Sequence, residues 1–244
     1  MATQQEERKL VFPGDLIAEG DYYAGDNTFK RENKIYATRI GLASKDGRRI
    51  SVIALRGTYE PKVGDTVIGK VIDIGFTNWT LDILSPYIAI LNASDVFRRG
   101  FDPHRDSLSD VFGIGDIVLA EVAQFDRTRD PLLTVRGPGL GKLTKGRLER
   151  ITPAKIPRLI GKKGSMITLL KNETGCQITI GKNGYVHILG KSREAEELVS
   201  LAIRKIEAEA HIPGLTNRMT EFLRTRIKGS EEKEKKVKDK GGDG

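Results

Sequence analysis

The sequence predicts a multidomain fold of β and α+β classes, with a small N-terminal β domain, a five-stranded barrel and an α+β domain in that order. The chain has 244 residues, which is enough for more than one hydrophobic core. Short alternating apolar segments with glycine-containing turns continue to about residue 135 and predict strands. After residue 147, apolar residues at helical spacing flank two further strand-like segments.

Residues 1–64 are predicted to form the small β-rich domain. Segments 34–42 and 49–55 alternate as strands do, and Asp46-Gly47 between them is a hairpin turn signal. A sheet of this size buries little apolar surface by itself. We therefore expect the domain to pack on the next domain or on a partner protein, and its residues suggest no catalytic site.

Residues 65–146 are predicted to form a barrel of five short strands followed by a linker. The strands are expected in segments 66–74, 79–84, 87–91, 117–125 and 132–135. Gly64-Asp65 and Gly115-Asp116 supply turns ahead of two of these strands. This spacing is typical of an OB-type barrel, whose strand face and loops bind single-stranded nucleic acid.

The barrel segment resembles an S1 RNA-binding domain from about residue 65 to residue 135. The matching pieces are Gly69-Lys70-Val71, Asn92-Ala93-Ser94-Asp95, Gly115-Asp116-Ile117-Val118 and Asp126. Thr77 and Thr80 stand where that family carries stacking aromatic residues. Three nearby aromatic residues either stack on bases instead or lie in the core, and these are Phe76, Trp79 and Tyr87.

Four basic residues of the barrel are candidate RNA contacts, namely Lys70, Arg98, Arg99 and Arg127. Adjacent arginines on a long loop are suited to phosphate binding. The alternative is an ordinary solvated loop, because Asp102, Asp106 and Asp110 nearly balance the charge. A metal site at these aspartates is not expected, since the interleaved arginines would repel a dication.

Residues 147–227 are predicted to form an α+β domain with the element order strand, helix, loop, helix, strand, strand, helix. Pro157 and Gly161 predict a short first helix, and Ser192 is placed to cap the last one. The two strands, 177–180 and 185–189, are joined by the turn Gly181-Lys182-Asn183-Gly184. A further helix is expected from 216 to 227, and residues 228–244 are predicted to be a disordered charged tail.

The loop between the first two helices carries the main binding prediction. It comprises Gly161, Lys162, Lys163 and Gly164. Glycines without Cβ atoms allow close backbone approach, and the lysines place positive charge at that point. Such a GxxG loop, with this element order, resembles the nucleic-acid clamp of a eukaryotic-type KH domain.

Several residues around this loop are predicted to take part in RNA binding. Ile160 and Ile167, with Ile156, Leu159 and Ile178, are expected to line an apolar groove beside the loop, although some must serve as core. Lys182 and Asn183 in the strand–strand turn are predicted as a second contact, with plain turn residues as the alternative. This domain holds 15 Lys and Arg against 8 Asp and Glu, which accounts for +7 of the net charge of +8. Such clustering is the electrostatic footprint expected of a phosphate-binding surface.

The whole chain resembles the RNA-binding cap subunits of the archaeal exosome, the ribosomal-RNA-processing protein four family. The resemblance rests on the domain order and on Phe12-Pro13-Gly14-Asp15, Arg98-Arg99, Gly141-Lys142-Leu143 and Gly181-Lys182-Asn183-Gly184. It implies a trimeric cap, built with other copies of the chain or a related subunit, on a hexameric ring of RNase PH-like subunits. It also implies that the chain recruits single-stranded RNA and threads its 3′ end inward without catalysing the cleavage.

Two other functions stay open at this point: a stand-alone RNA-binding protein, and a phosphorolytic exoribonuclease in its own right. The single cysteine, Cys176, excludes an intrachain disulfide and a CxxC metal site, and no cofactor is expected. No run of about 18 apolar residues is present and the N-terminus is polar. A cytoplasmic location without membrane contact is therefore the prediction.

Overall fold

The computed structural model describes residues 9–55, 57–97, 99–210, 212 and 214–226. The predictions for Arg98 and for the tail 228–244 therefore lie outside the described residues. The chain divides into two compact units, residues 1–57 and 58–244. Residues 58–64, which the sequence assigned to the first domain, belong to the second unit.

In its described residues, 9–55 and 57, the N-terminal unit has seven short strands in two sheets. The strands are β1 (Leu10–Val11), β2 (Leu16–Glu19), β3 (Tyr23–Ala24), β4 (Thr28–Arg31), β5 (Lys34–Ala37), β6 (Gly41–Asp46) and β7 (Arg49–Ala54). One sheet has the order β1-β6-β7-β3 and the other β2-β5-β4. The core is small and centres on Val11, Ala37 and Val52.

The segment predicted as one strand over 34–42 is two strands in different sheets. Its first part, β5, ends at Ala37, and β6 begins at Gly41. Gly41 lies so close to β7 that a Cβ atom there would be 2.3 Å from the Ile53 carbonyl oxygen. The predicted hairpin forms as expected, with Asp46 opposite Arg49.

The second unit begins with the barrel. Its strands are β8 (Thr66–Ile74), β9 (Asn78–Asp82), β10 (Ala89–Asn92), β11 (Ile117–Asp126) and β12 (Arg129–Thr134), with β13 (Gly141–Leu143) added outside β11. A short helix, α1 (Ala93–Val96), follows β10. The pairings β12–β10 and β12–β11 close the sheet, so the predicted five-stranded barrel is confirmed.

The first barrel strand contains a bulge that the alternation pattern did not show. Its pairing with β9 shifts between Val71 and Asp73, which leaves Ile72 as the extra residue. Ile74 then pairs with Trp79 and packs against the barrel core, on the same side of the strand as Val71. The bulge leaves the Ile72 side chain 43% exposed.

The KH-like part has the predicted element order. Its strands are β14 (Arg147–Arg150), β15 (Gln177–Ile180) and β16 (Tyr185–Leu189), which form a sheet of order β14-β16-β15. Its helices are α2 (Ile156–Ile160), α3 (Ser165–Thr174), α4 (Arg193–Glu209) and α5 (residues 215–226). The Ser192 hydroxyl accepts a hydrogen bond from the Ala195 N–H and caps α4, as predicted.

One hydrophobic core holds these helices against the sheet. Helix α5 belongs to it, because Leu215, Met219 and Leu223 are all buried there. Ile156, Leu159 and Ile178, expected to line a groove, are buried in the same core. They therefore support the groove from below, and Ile160 and Ile167 are the members of that set left accessible.

Candidate nucleic-acid interface

The GxxG loop is a tight reversal between helices α2 and α3. Helix α2 ends at Gly161, which has φ 77° and ψ 171°. Lys163 and Gly164 both take left-handed conformations, with φ values of 53° and 79°. Helix α3 then begins at Ser165. The two lysines at the centre of the loop are exposed, and the two glycines are partly exposed.

The two glycines are required for different reasons. A Cβ atom on Gly161 would lie 2.6 Å from the Met166 nitrogen and 2.8 Å from the Met166 Cβ, so helix α3 leaves no room for a side chain. A Cβ atom on Gly164 would meet only Ile167, at 3.9 Å. Gly164 is needed for its left-handed backbone, and it leaves open space through which another chain can approach.

We expect Gly161→Ala to destabilise the domain more than Gly164→Ala. The first substitution adds a clash with the α3 backbone to the cost of positive φ, whereas the second adds only the backbone cost of about 1–2 kcal/mol. Thermal unfolding followed by circular dichroism would measure both. Equal melting temperatures for the two variants would show that helix α3 moves aside readily.

The cations of the loop are exposed and available. Lys162 and Lys163 are exposed, and neither ammonium group has a hydrogen-bonding or ion-pair partner among the described residues. Ile160 is 37% exposed beside them, and Ile167 is half-buried. The structure therefore brings together two free ammonium groups, an open backbone and an apolar edge, which are the elements of a single-strand binding surface.

The turn predicted as a second RNA contact instead joins the KH-like part to the barrel. The Asn183 Nδ2 donates to the carbonyl oxygens of Ile68 at 2.7 Å and Ile83 at 2.9 Å. Its Oδ1 accepts from the Ile68 N–H at 3.2 Å, and the side chain is fully buried. The prediction that Asn183 contacts RNA is therefore corrected, because its amide is buried and both of its polar atoms bond to barrel backbone groups.

The contact between the KH-like part and the barrel, here called the seam, extends beyond Asn183. The Lys182 N–H donates to the Thr66 carbonyl oxygen at 2.9 Å, while the Lys182 side chain remains exposed. Ile68, Leu119 and Tyr185 form a buried apolar cluster along the same contact. The seam therefore combines backbone-directed hydrogen bonds with apolar packing, and Lys182 keeps its side chain free for a ligand.

Two of the barrel residues predicted to contact RNA, Lys70 and Arg127, have different neighbours. Lys70 is exposed on β8, opposite Asp82 of β9. Arg127 lies in the turn between β11 and β12, where it pairs with Glu60 at 2.8 Å. Both residues lie on the barrel, whereas the GxxG loop belongs to the KH-like part.

The long barrel loop is fixed by its own charges. Arg99 forms an ion pair with Asp106, whose side chain is almost fully buried. The Asp102 N–H also donates to Asp106, and this hydrogen bond, together with Arg99, holds the pKa of the Asp106 carboxyl below its usual range. Asp106 is thus a structural anchor of the loop, and Arg99 is held in place with its side chain still largely exposed.

The three aromatic residues predicted either to stack on bases or to lie in the core differ in their exposure. Trp79 is fully buried, and its indole N–H donates to the Phe112 carbonyl oxygen at 2.9 Å. Tyr87 packs edge-to-face on Phe125. Phe76, in the turn between β8 and β9, is 80% exposed and is the one of the three placed to stack on a base.

Within the described ranges, no helix has both the length and the apolar character that crossing a bilayer requires.

Comparison with known proteins accounts for all three parts of the chain. Residues 8–56 match the exosome RNA-binding protein RRP4 N-terminal domain, residues 58–124 the RRP4 S1 domain, and residues 147–208 the KH domain. A solved crystal structure described as an exosome complex RNA-binding protein superposes with a TM-score of 0.68 at 40% identity. It covers 70% of this chain and 98% of its own.

Two curated relatives named as exosome components match over most of their length. Exosome complex component Rrp4 of Methanothermus fervidus is 45% identical over 218 residues, which cover 89% of this chain and 96% of the relative. The protein of the same name from Thermococcus kodakarensis is 45% identical over 223 residues, covering 91% and 87%. The chain therefore belongs to the Rrp4 family of exosome complex components, with an N-terminal domain, an S1 domain and a KH domain.

Proposed function

We propose that this chain is the non-catalytic RNA-binding subunit of an exosome, and that three such subunits cap a hexameric ring of RNase PH-like proteins. The observation that carries the proposal is the GxxG loop, whose two lysines are exposed and unpartnered among the described residues. The chain recruits single-stranded RNA and passes its 3′ end to the ring, where phosphorolysis takes place. Family membership supports this reading, because RNA-binding domains account for the barrel and the KH-like part.

RNA contact is assigned to two modules of the second unit. In the KH domain, Gly161 to Gly164 hold the sugar–phosphate backbone while Ile160 and Ile167 border the bases. In the S1 barrel, Lys70, Arg99 and Arg127 supply charge and Phe76 supplies a stacking surface. Lys182 contributes an exposed ammonium group near the seam between the two modules.

The N-terminal domain is proposed to dock on the ring through an apolar row on its smaller sheet. Leu16 on β2 and Phe29 on β4 both lie directly opposite Tyr36 on β5, so the three side chains share one face. Leu16 and Phe29 are each nearly half exposed, and the Phe29 and Tyr36 rings stack with centroids 5.3 Å apart. An exposed apolar row of this kind is typical of an interaction surface.

The decisive experiment separates binding, assembly and catalysis. The purified chain is expected to bind fluorescent single-stranded RNA at low ionic strength, to co-purify with the ring proteins of its source cell, and to leave RNA intact in phosphate and Mg²⁺. Degradation by the chain alone would establish the exoribonuclease alternative. RNA binding without any association with the ring would establish the stand-alone alternative.

Two variants, one in each sheet of the N-terminal domain, test whether the apolar row docks on the ring. Leu16→Asp with Phe29→Asp is expected to abolish association with the ring and to preserve RNA binding, because a charge in the row cannot be buried without a partner. Tyr23→Asp is the control, since Tyr23 is exposed but lies in the other sheet. Size-exclusion chromatography coupled to mass measurement reports the outcome. Loss of assembly in the control alone would relocate the interface to the other sheet.

A further inference from the structure

A cleft of about 410 Å³ lies between the GxxG loop and helix α5. One wall carries Arg158 of α2 and Lys162 of the loop, and the opposite wall carries Asn217 of α5. The floor is apolar and includes Met166 and Leu215. The match to the KH domain ends at residue 208, so the wall formed by α5 lies beyond that domain.

The chemistry of the cleft favours an anionic ligand with a polar edge. Arg158 and Lys162 are exposed cations, and neither has a hydrogen-bonding or ion-pair partner in the part of the chain that the structure describes. No carboxylate is among the described residues that line the cleft. Asn217 adds an exposed amide, which both donates and accepts hydrogen bonds. The volume falls at the lower end of the range of small-ligand sites, about 300–1,000 Å³.

The cleft is held open by packed structure. Leu215, Met219 and Leu223 fix α5 in the hydrophobic core. The Arg218 guanidinium bonds the Glu209 carboxylate at 2.8 Å and ties α5 to the end of α4. The wall that carries Asn217 is therefore positioned before any ligand arrives.

The loop and the cleft share residues, and this determines which ligand is favoured. Gly161 and Lys162 belong to the GxxG loop and also line the cleft. A strand whose backbone is gripped at the loop therefore has this cleft directly beside it. A GxxG loop clamps about four nucleotides, and the adjoining cleft offers room for one more.

We propose that this cleft binds one additional nucleotide of the RNA strand held by the GxxG loop. Arg158 and Lys162 bind its phosphate, Asn217 hydrogen-bonds the edge of its base, and Met166 and Leu215 pack beneath it. The inference rests on the proposed RNA-binding function and adds a subsite to it. Helix α5 thereby acts as an extension of the KH surface.

The length of the RNA provides the test. Fluorescein-labelled RNAs of randomised sequence, four and six nucleotides long, are titrated with the full chain by anisotropy. The unsubstituted chain is expected to bind the longer RNA more tightly. Asn217→Ala and Arg158→Gln are each expected to weaken binding of the six-nucleotide RNA about tenfold, as loss of a hydrogen bond involving a charged group or a base edge would. Binding of the four-nucleotide RNA should be unchanged.

Salt dependence and a matched control complete the design. Arg158→Gln should reduce the slope of log affinity against log salt by about 0.7, the loss of one phosphate contact, whereas Asn217→Ala should leave the slope unchanged. Lys191→Gln is the control. Lys191 is exposed near the start of α4, and the 17 residues of that helix place it about 25 Å from the end that adjoins α5.

If Asn217→Ala binds the six-nucleotide RNA as the unsubstituted chain does, the subsite is overturned while the proposed function stands. If the unsubstituted chain binds no RNA of any length, the proposed function itself fails.

Discussion

Lys162→Glu with Lys163→Glu is expected to lower the affinity of the chain for single-stranded RNA by about 100-fold at low salt. Each lysine is exposed without a partner in the described structure, so each is free to contact a phosphate. A hydrogen bond to a charged group contributes roughly 1.5–3 kcal/mol, and two of them at the lower end of that range correspond to about two decades in affinity. The magnitude of the salt slope should fall by about 1.4, because two phosphate contacts on a single strand are lost.

Fluorescence anisotropy at a series of KCl concentrations measures both quantities. The control is Lys171→Glu with Lys191→Glu, which changes the net charge equally at two other exposed lysines of the same domain. Its binding should weaken only slightly and its slope should stay near that of the unsubstituted chain. If the two double variants behave alike, the loop has no special role and only the overall charge of the domain matters.

Asn183→Ala is expected to destabilise the second unit by about 3–5 kcal/mol. The substitution leaves the Ile68 N–H and the Ile68 and Ile83 carbonyl groups without the partner that Asn183 provides. Each unsatisfied buried polar group costs about 1–3 kcal/mol, partly relieved where water enters. Since Asn183 joins the two modules, the barrel and the KH domain should then unfold in separate transitions.

Differential scanning calorimetry distinguishes these outcomes. Lys182→Ala is the matched control, because its side chain is exposed and its N–H still donates to the Thr66 carbonyl oxygen. We expect a single transition near that of the unsubstituted chain for the control, and a lowered, divided transition for Asn183→Ala. A single, unshifted transition in Asn183→Ala would contradict the structural role assigned to this amide.

Much of the fold follows from local pattern. Period-two alternation indicates the barrel strands, and helical spacing with Pro157, Gly161 and Ser192 indicates the limits of the helices. The GxxG loop is evident because only glycine suits both of its special positions. These features depend on residues close together in the sequence, so the sequence alone is enough to predict them.

The features that sequence reasoning missed depend on distant partners. Asn183 contacts residues 100 and 115 positions away, and nothing in the turn sequence distinguishes a surface Asn-Gly from a buried one. The bulge at Ile72 depends on how β9 pairs with β8, which alternation within one strand cannot reveal. Likewise Ile156, Leu159 and Ile178 carry the same apolar pattern whether they line a groove or lie in the core. An apolar position indicates burial, but it does not indicate what covers it.

The contact that Asn183 makes between barrel and KH domain also has a consequence for how RNA length is sensed. Two binding modules on a flexible linker strengthen binding gradually, because the linker samples many separations. Here the distance between the barrel and the KH domain is fixed, because the buried Asn183 amide is hydrogen-bonded to three barrel backbone groups. Beyond the length that the KH surface itself accommodates, affinity should therefore rise in one step at the RNA length that first reaches both modules, and longer strands should add little.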